Sequence, residues 1–428
     1  MTGQAAVPPP RRQASREQAE PGPVAPPRTA IAPPAAAPSV LRAVSVVPVA
    51  AAVAGPPPPA AATAPPSPAP PPLRVPAAVR PSAPPRPAAR RPRRVVLPIV
   101  VGELVLVLVL LTLDRSWPAI AGVACAGGVL GAFAAVRVRG RLLCQWVVVA
   151  GRFLFRERVA DLPGEHVGAA LLRLLRPGAR CAHTMIGDAR AFVVSDAAGV
   201  ATVLRPESGP PVPAPRDLLP DADKALAYAV QVVHHASVDR SQPPRVWLTL
   251  QALRTAEVWT DDDVRAALAN VVRRVRRRAG LPLRMLTEEE TLRSYAALAH
   301  VNLGRGRVRE EWWSWHSGPI RQATFAVDGW GDLDPSAAAR LVRWLLAAAP
   351  DTAVTLSCSA HHDPVSPVGV PVVAAVLRVA TSKPEALEAA VVDMARLADE
   401  VGVVLRRLDG VHVRGVAATL PGGVTSLA

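Results

Sequence analysis

Two apolar runs separated by five residues constrain this chain more than any other feature. The first is Val95–Leu113, with the unbroken stretch Leu104–Leu111 inside it; the second is Ala119–Val136. A bilayer core takes roughly 17–25 helical residues. Asp114–Pro118 has room only for a turn, so the pair is expected to form an antiparallel transmembrane hairpin. Pro98 stands in the first turn, where a missing N–H costs little. The second run is rich in small residues, and Gly127-x-x-x-Gly131 would let two helix backbones approach closely; the same spacing also arises by chance on a lipid-facing surface. Glu103 is the one ionisable residue inside either run. It reads as a protonated or helix-bonded carboxyl that fixes an assembly, with a proton relay, or simple tolerance of a carboxyl near the cytoplasmic end, as the other readings.

Arginines flank the pair. Arg90, Arg91, Arg93 and Arg94 precede the first run, and Arg137, Arg139 and Arg141 follow the second. Excess positive charge stays on the cytoplasmic side, so both termini are expected there. Residues 137–158 form a juxtamembrane segment in which Trp146, Phe153 and Phe155 alternate with arginines. It reads either as an amphipathic helix at a membrane interface or as the first buried helix of the following domain.

Residues 1–94 are of another kind. They hold 27 of the 48 prolines, and 12 Arg against 2 Glu give them +10 of the formal +15. Such a stretch has too little apolar surface to offset its ordering entropy and reads as a disordered arm. The basic pI therefore reflects a tail and not a clustered basic face, which argues against nucleic acid as a partner. The four cysteines, Cys125, Cys144, Cys181 and Cys358, lack the spacing of a zinc site or a disulfide framework.

Residues 159–428 have globular composition and read as an α/β domain. Ala191–Ser195 and Val200–Leu204 suggest a hairpin. Asp221–Val238 is expected to be an amphipathic helix and Arg245–Ala252 a strand. Asp261–Asp263 opens a helix that ends in Arg273, Arg274, Arg276, Arg277 and Arg278 before Gly280, a charge order that suits the helix dipole. Thr287-Glu288-Glu289-Glu290 is a capping-box start. The C-terminal series is strand 322–327, helix 335–346, strands 352–359 and 370–379, helix 384–401 and strand 403–408. That is the β-α-β-β-α-β order of ferredoxin-like units.

A search for chemistry finds no activated nucleophile and no paired acid and base. His361-His362-Asp363 lies in an expected hairpin loop. His234-His235, placed on a helix, would point about 100° apart. Asp261–Asp263 resembles an acidic metal motif but stands where a helix cap is needed. No phosphate loop is present, since Gly304-x-Gly306 is too short. No catalytic residue, cofactor or metal is expected. The most unusual run is Glu310-Glu311-Trp312-Trp313-Ser314-Trp315-His316. Trp312, Trp313 and Trp315 read as interface anchors, as a core plug under the sheet, or as a platform for sugar stacking.

Taken in order, several of these pieces resemble the EccE family of actinobacterial type VII (ESX) secretion systems, over roughly Val95–Val424. They are the hairpin ending in Val136–Arg141 with Trp146, the strand Val246–Leu250 with the later Gly280-Leu281-Pro282-Leu283, and Trp312–Trp315 leading through Phe325-Ala326-Val327 to Trp330. Leu405–Gly410 and Ala418–Gly423 complete the set. The resemblance implies a non-catalytic structural subunit of the bacterial inner-membrane translocon. It would be multi-pass in the cell membrane and part of a hetero-oligomer with EccB, EccD and the EccC ATPase, bracing the complex during protein export. The proline-rich arm lies outside the resemblance. The competing reading is a membrane-tethered glycosyltransferase-like enzyme, with Asp261–Asp263 as its first suspect.

Overall fold

The computed structural model describes residues 116–138, 141–207, 211–221, 225–302, 306–365 and 369–423, with isolated positions at 103, 106, 107 and 110. The proline-rich arm, Arg90, Arg91, Arg93, Arg94, Arg139 and most of the first apolar run lie outside the described residues.

The second apolar run forms α1 (Trp117–Ala135). A two-residue ladder, β1 (Arg137–Val138) with β2 (Arg141–Leu142), turns the chain into α2 (Leu143–Phe155). The expected transmembrane hairpin, and with it the multi-pass inner-membrane location, is overturned: among the described residues no helix is long and apolar enough to cross a membrane. In α1, alanine and glycine supply 11 of the 19 residues. Such small side chains carry little apolar surface each. A Cβ added at Gly131 would meet nothing within 4 Å, so no second backbone approaches there among the described residues.

The remaining strands form one sheet of 13, and every pairing described is antiparallel. This corrects the α/β expectation as well: helices alternate with strands along the chain, yet the β–β hairpins between them return each strand antiparallel. After β3 (Val159–Asp161), the chain runs through one series twice. The first pass is α3 (Val167–Leu175), β4 (Arg180–Ile186), β5 (Ala189–Ser195), β6 (Gly199–Pro206), α4 (Pro215–Leu218), β7 (Ala227–Ala236), β8 (Arg245–Leu253), α5 (Asp261–Ala279) and β9 (Leu283–Met285). The second is α6 (Glu288–Leu298), β10 (Arg307–Glu310), β11 (Trp315–Ser317), β12 (Ile320–Asp328), α7 (Pro335–Ala347), β13 (Ala353–His361), β14 (Val372–Thr381), α8 (Pro384–Asp399) and β15 (Val404–Arg407). The pairings repeat too. β6 lies between β8 on one side and β5 with β9 on the other; β12 lies between β14 on one side and β11 with β15 on the other. β7 joins β13 over eight residue pairs, from Val354–Ala236 to His361–Ala229, and makes one sheet of the two halves. A last helix, α9 (His412–Ala418), follows.

The expected helix at Asp221–Val238 is thus replaced by the central strand β7. Its residues are almost all buried. A strand covered on both faces loses the apolar–polar alternation that marks a half-exposed one, and from sequence it resembles a buried helix.

One face of the sheet is largely apolar. Val264, Leu268, Val271, Val272 and Val275 of α5 cover Val193, Leu204, Val230, Leu248 and Leu250. Leu341 and Leu345 of α7, with Leu387 and Met394 of α8, cover Phe325, Leu356, Leu377 and Val379. Pro335 and Pro384 start α7 and α8, where a missing N–H is free of cost. The opposite face is mixed. Its apolar part, Phe192, Val203, Trp247 and Trp315, lies under α3, α6 and α9. Its polar part, Gln231, Thr249, Thr324, Thr355, Ser357 and Arg378, is buried as well. The C-terminal segment satisfies much of it. Gln231 Nε2 donates to the carbonyls of Ala418 (2.8 Å) and Leu420 (3.1 Å), and the Gly422 N–H donates to Gln231 Oε1 (2.8 Å) and Thr249 Oγ1 (2.9 Å).

The corresponding first helices of the two halves, α3 and α6, meet backbone to backbone: a Cβ on Gly168 would lie 2.3 Å from the Leu292 carbonyl oxygen. Gly168→Ala is therefore expected to lower stability by about 2 kcal/mol through forced separation of the two helices, read as a fall in the urea midpoint without a change in slope.

Candidate functional site

The tryptophan run occupies the turn between β10 and β11, which the Glu311 N–H closes on the Ser314 carbonyl at 2.8 Å. It does three different things. Trp315 is 3% exposed and packs in the core beneath β11. Trp313 is 49% exposed. Trp312, half-buried, faces α2. Its ring lies 5.9 Å from Trp146 and 5.1 Å from Phe153, edge to face in the second case, and 6.4 Å from Trp313. Aromatic pairs at such separations contribute about 0.5–1.5 kcal/mol each beyond burial.

Gly410 completes the grip. It adopts φ +68°, and a Cβ there would lie 2.7 Å from the Trp312 ring and 2.9 Å from Val149. Its N–H donates to the Trp312 carbonyl at 2.8 Å. Only glycine combines that backbone with that contact. The Leu405–Gly410 motif thus ends against the tryptophan turn.

A charge pair between half-buried Arg156 and buried Glu310 fastens the end of α2. The Arg156 guanidinium bonds the Glu310 carboxylate, whose side chain is 3% exposed, and also donates to the Gly410 carbonyl at 3.2 Å. The other Glu310 oxygen accepts the Val413 N–H of α9 at 3.0 Å. Burial pushes the Glu310 carboxyl above the usual range, while the Val413 N–H and Arg156 pull the other way. Arg158 stacks 5.0 Å from the Phe153 ring. Trp146 Nε1 donates to the Val138 carbonyl at 2.9 Å, tying α2 to β1.

α2 is therefore apolar on two sides. Trp146, Val149 and Phe153, spaced three and four apart, face the clamp. Val147, Val148, Leu154 and Phe155 share the outer side and are exposed, Leu154 at 66% and Phe155 at 93%. The other anticipated residues lie elsewhere. Glu103 is helical and exposed, Gly127 is buried within α1, and Arg137 and Arg141 occupy β1 and β2.

The remaining candidates serve the fold. Thr260 caps α5, and Asp261 is bonded by Arg254, by Ser195 Oγ (3.2 Å) and by Arg265 (3.4 Å), which holds its carboxyl below the usual range, mainly through Arg254. Arg276 and Arg278 donate to the carbonyls of Leu283 and Leu219, both at 3.1 Å. The His362 ring accepts the Tyr228 N–H at 3.2 Å. His234 and His235 sit on β7 and so point to opposite faces; the latter bonds Thr355 Oγ1 at 2.9 Å. Among the described residues no group of three His, Cys, Asp or Glu could hold a metal ion. The clamp roles of Gly410 and Arg156 were not legible in the sequence, because Gly410 lies far along the chain from Trp312 and Arg156 from Glu310.

No family model matches the chain, and no curated protein matches it.

Trp312→Ala is expected to cost about 3 kcal/mol and to release α2, so that limited proteolysis cuts within residues 143–158 before the sheet unfolds. Burial pushes His234 down to about 4, and His235 and His412 down to about 3. These histidines are neutral in the fold and take up protons on unfolding once the pH is below their ordinary value. Their stabilisation is intact above pH about 6.5 and falls as the pH drops toward 4, by up to about 1.4 kcal/mol per pH unit for each. Urea unfolding across that range measures the slope, and His235→Gln should remove about one third of the contribution of the three histidines.

Proposed function

We propose that this chain is a non-catalytic structural subunit, similar to EccE, that braces a type VII secretion core complex beside its EccC ATPase, with EccB and EccD as further partners. The observation that carries the reading is the outer side of α2. Val147, Val148, Leu154 and Phe155 are exposed on a helix that the Trp312 clamp holds rigidly against the sheet. Clustered apolar side chains on a fixed helix suit a protein interface, because little ordering entropy is left to lose on docking. Several residues that carry the resemblance also build this support: Trp146 and Trp312 pack ring against ring, and Gly410 closes on Trp312. The glycosyltransferase-like alternative gains nothing from Asp261, whose oxygens are already bonded by two arginines and a serine.

The reading is tested by mild isolation of the tagged chain from its native host. Co-isolation in fixed ratio with an FtsK-like ATPase is expected. The double variant Val148→Asp, Phe155→Asp should lose that complex by about tenfold or more, equivalent to 1.4 kcal/mol, with an unchanged melting temperature. Wild-type protein that emerges alone and monodisperse would sink the reading.

A further inference from the structure

The two halves of the sheet differ at their outer edges. In the second half, β10 does not end the sheet, because β3 lies on it with Arg307, Val308 and Arg309 opposite Asp161, Ala160 and Val159. The ladder extends at both ends: the Leu162 N–H donates to the Gly306 carbonyl (2.7 Å) and the Glu310 N–H to the Arg158 carbonyl (2.8 Å). Arg307 stands 3.8 Å from Asp161 across this pair. In the first half, the strand at the same place in the series is β4, and among the described residues it pairs with β5 alone.

β4 is unusual for an edge. Open edges are commonly blunted by shortness, lysine, proline or a bulge. At the other end of the sheet, β3 has three residues; β4 has seven, Arg180–Ile186, with neither lysine nor proline, and pairs without a break.

Its free groups can be assigned. Ile186 and Ala189 flank the two-residue turn Gly187-Asp188, with Gly187 at φ +62°. The turn's own hydrogen bond makes that pair a bonded one. Bonded and non-bonded pairs alternate along an antiparallel ladder. The backbone groups of Thr184, Ala182 and Arg180 therefore face β5, and those of Met185, His183 and Cys181 face outward. These three residues are exposed, and no hydrogen bond to their backbone occurs among the described residues. Arg180 is exposed at the start of the strand and, among the described residues, forms no ion pair, whereas Arg307 on the covered edge faces Asp161.

We propose that β4 is a docking edge for an extended segment of a partner protein, which adds antiparallel to β4 as β3 adds to β10 and carries a carboxylate opposite Arg180. The internal counterpart specifies the geometry, and the uncompensated arginine specifies the charge. Main-chain bonds to Cys181, His183 and Met185 supply the attachment, and the side chain opposite Arg180 supplies selectivity. The surface is distinct from the outer side of α2, and the proposal does not rest on the functional reading above.

Hydrogen exchange tests it on the full chain, compared between the isolated protein and the assembly isolated from its native host. The amides of Cys181, His183 and Met185 should slow by about tenfold or more in the assembly, while those of Ala182 and Thr184, already in the ladder, stay unchanged. His183→Pro removes one outward N–H and should abolish the protection. Arg180→Glu, at an exposed position, should weaken it without any change in melting temperature. Equal exchange of the outward amides in both preparations would overturn the proposal. So would protection that appears in the isolated chain as its concentration rises, since the occupant would then be a second copy.

Discussion

The pairing of β7 with β13 is the contact on which the rest of the structure depends. Each half of the sheet contributes a strand whose far side would otherwise be an open edge, and the junction converts two open edges into one continuous ladder. It also decides which residues can be buried. At the junction, Leu356 stands opposite His234 and Cys358 opposite Val232 on the apolar face, while Thr355 stands opposite His235 and Ser357 opposite Val233 on the other. A shift of one residue would carry the polar set under α5 and α7, where nothing could bond it.

The polar layer explains how the segment after α9 is held against the sheet. Gln231 and Thr249 lie in the middle of the sheet, where an unsatisfied amide or hydroxyl would cost about 1–3 kcal/mol. The segment after α9 offers its own carbonyls and N–H groups to them, so the last described residues pair with side chains as a strand would pair with a neighbour. Arg378 is the harder case. It is fully buried, bonded to Gln322 Oε1 at 3.3 Å and Thr355 Oγ1 at 3.4 Å, and burial alone pushes its guanidinium down to about 9. Neutral acceptors share its charge without a carboxylate, an arrangement that neighbouring dipoles make tolerable but not strongly favourable.

The clamp on α2 draws on both halves of this logic. Glu310 is buried, so its charge is costly unless Arg156 and the Val413 N–H stay in place. Those partners stand just past the end of α2 and within α9, which makes the two helices cooperate across the tryptophan turn. The aromatic contacts supply apolar burial, the ion pair supplies orientation, and Gly410 supplies the space.

Much of this chain was legible from its local patterns. The capped helices α5 and α6, the helices started by Pro335 and Pro384, and the hairpin of β5 and β6 follow from residues within a turn or two of one another, and such preferences act through the adjacent backbone. Tertiary structure decided what depends on distant partners: that β7 is a strand, since its burial on both faces erases the period; that the series occurs twice, since the two passes share pairings and not residues; and that Trp312 holds a helix while Trp315 fills the core. Spacing along the chain cannot distinguish those two tryptophans. The difference is made by Trp146 and Phe153 of α2 and by Gly410, which come from two other places in the sequence and meet Trp312 only when the sheet has formed.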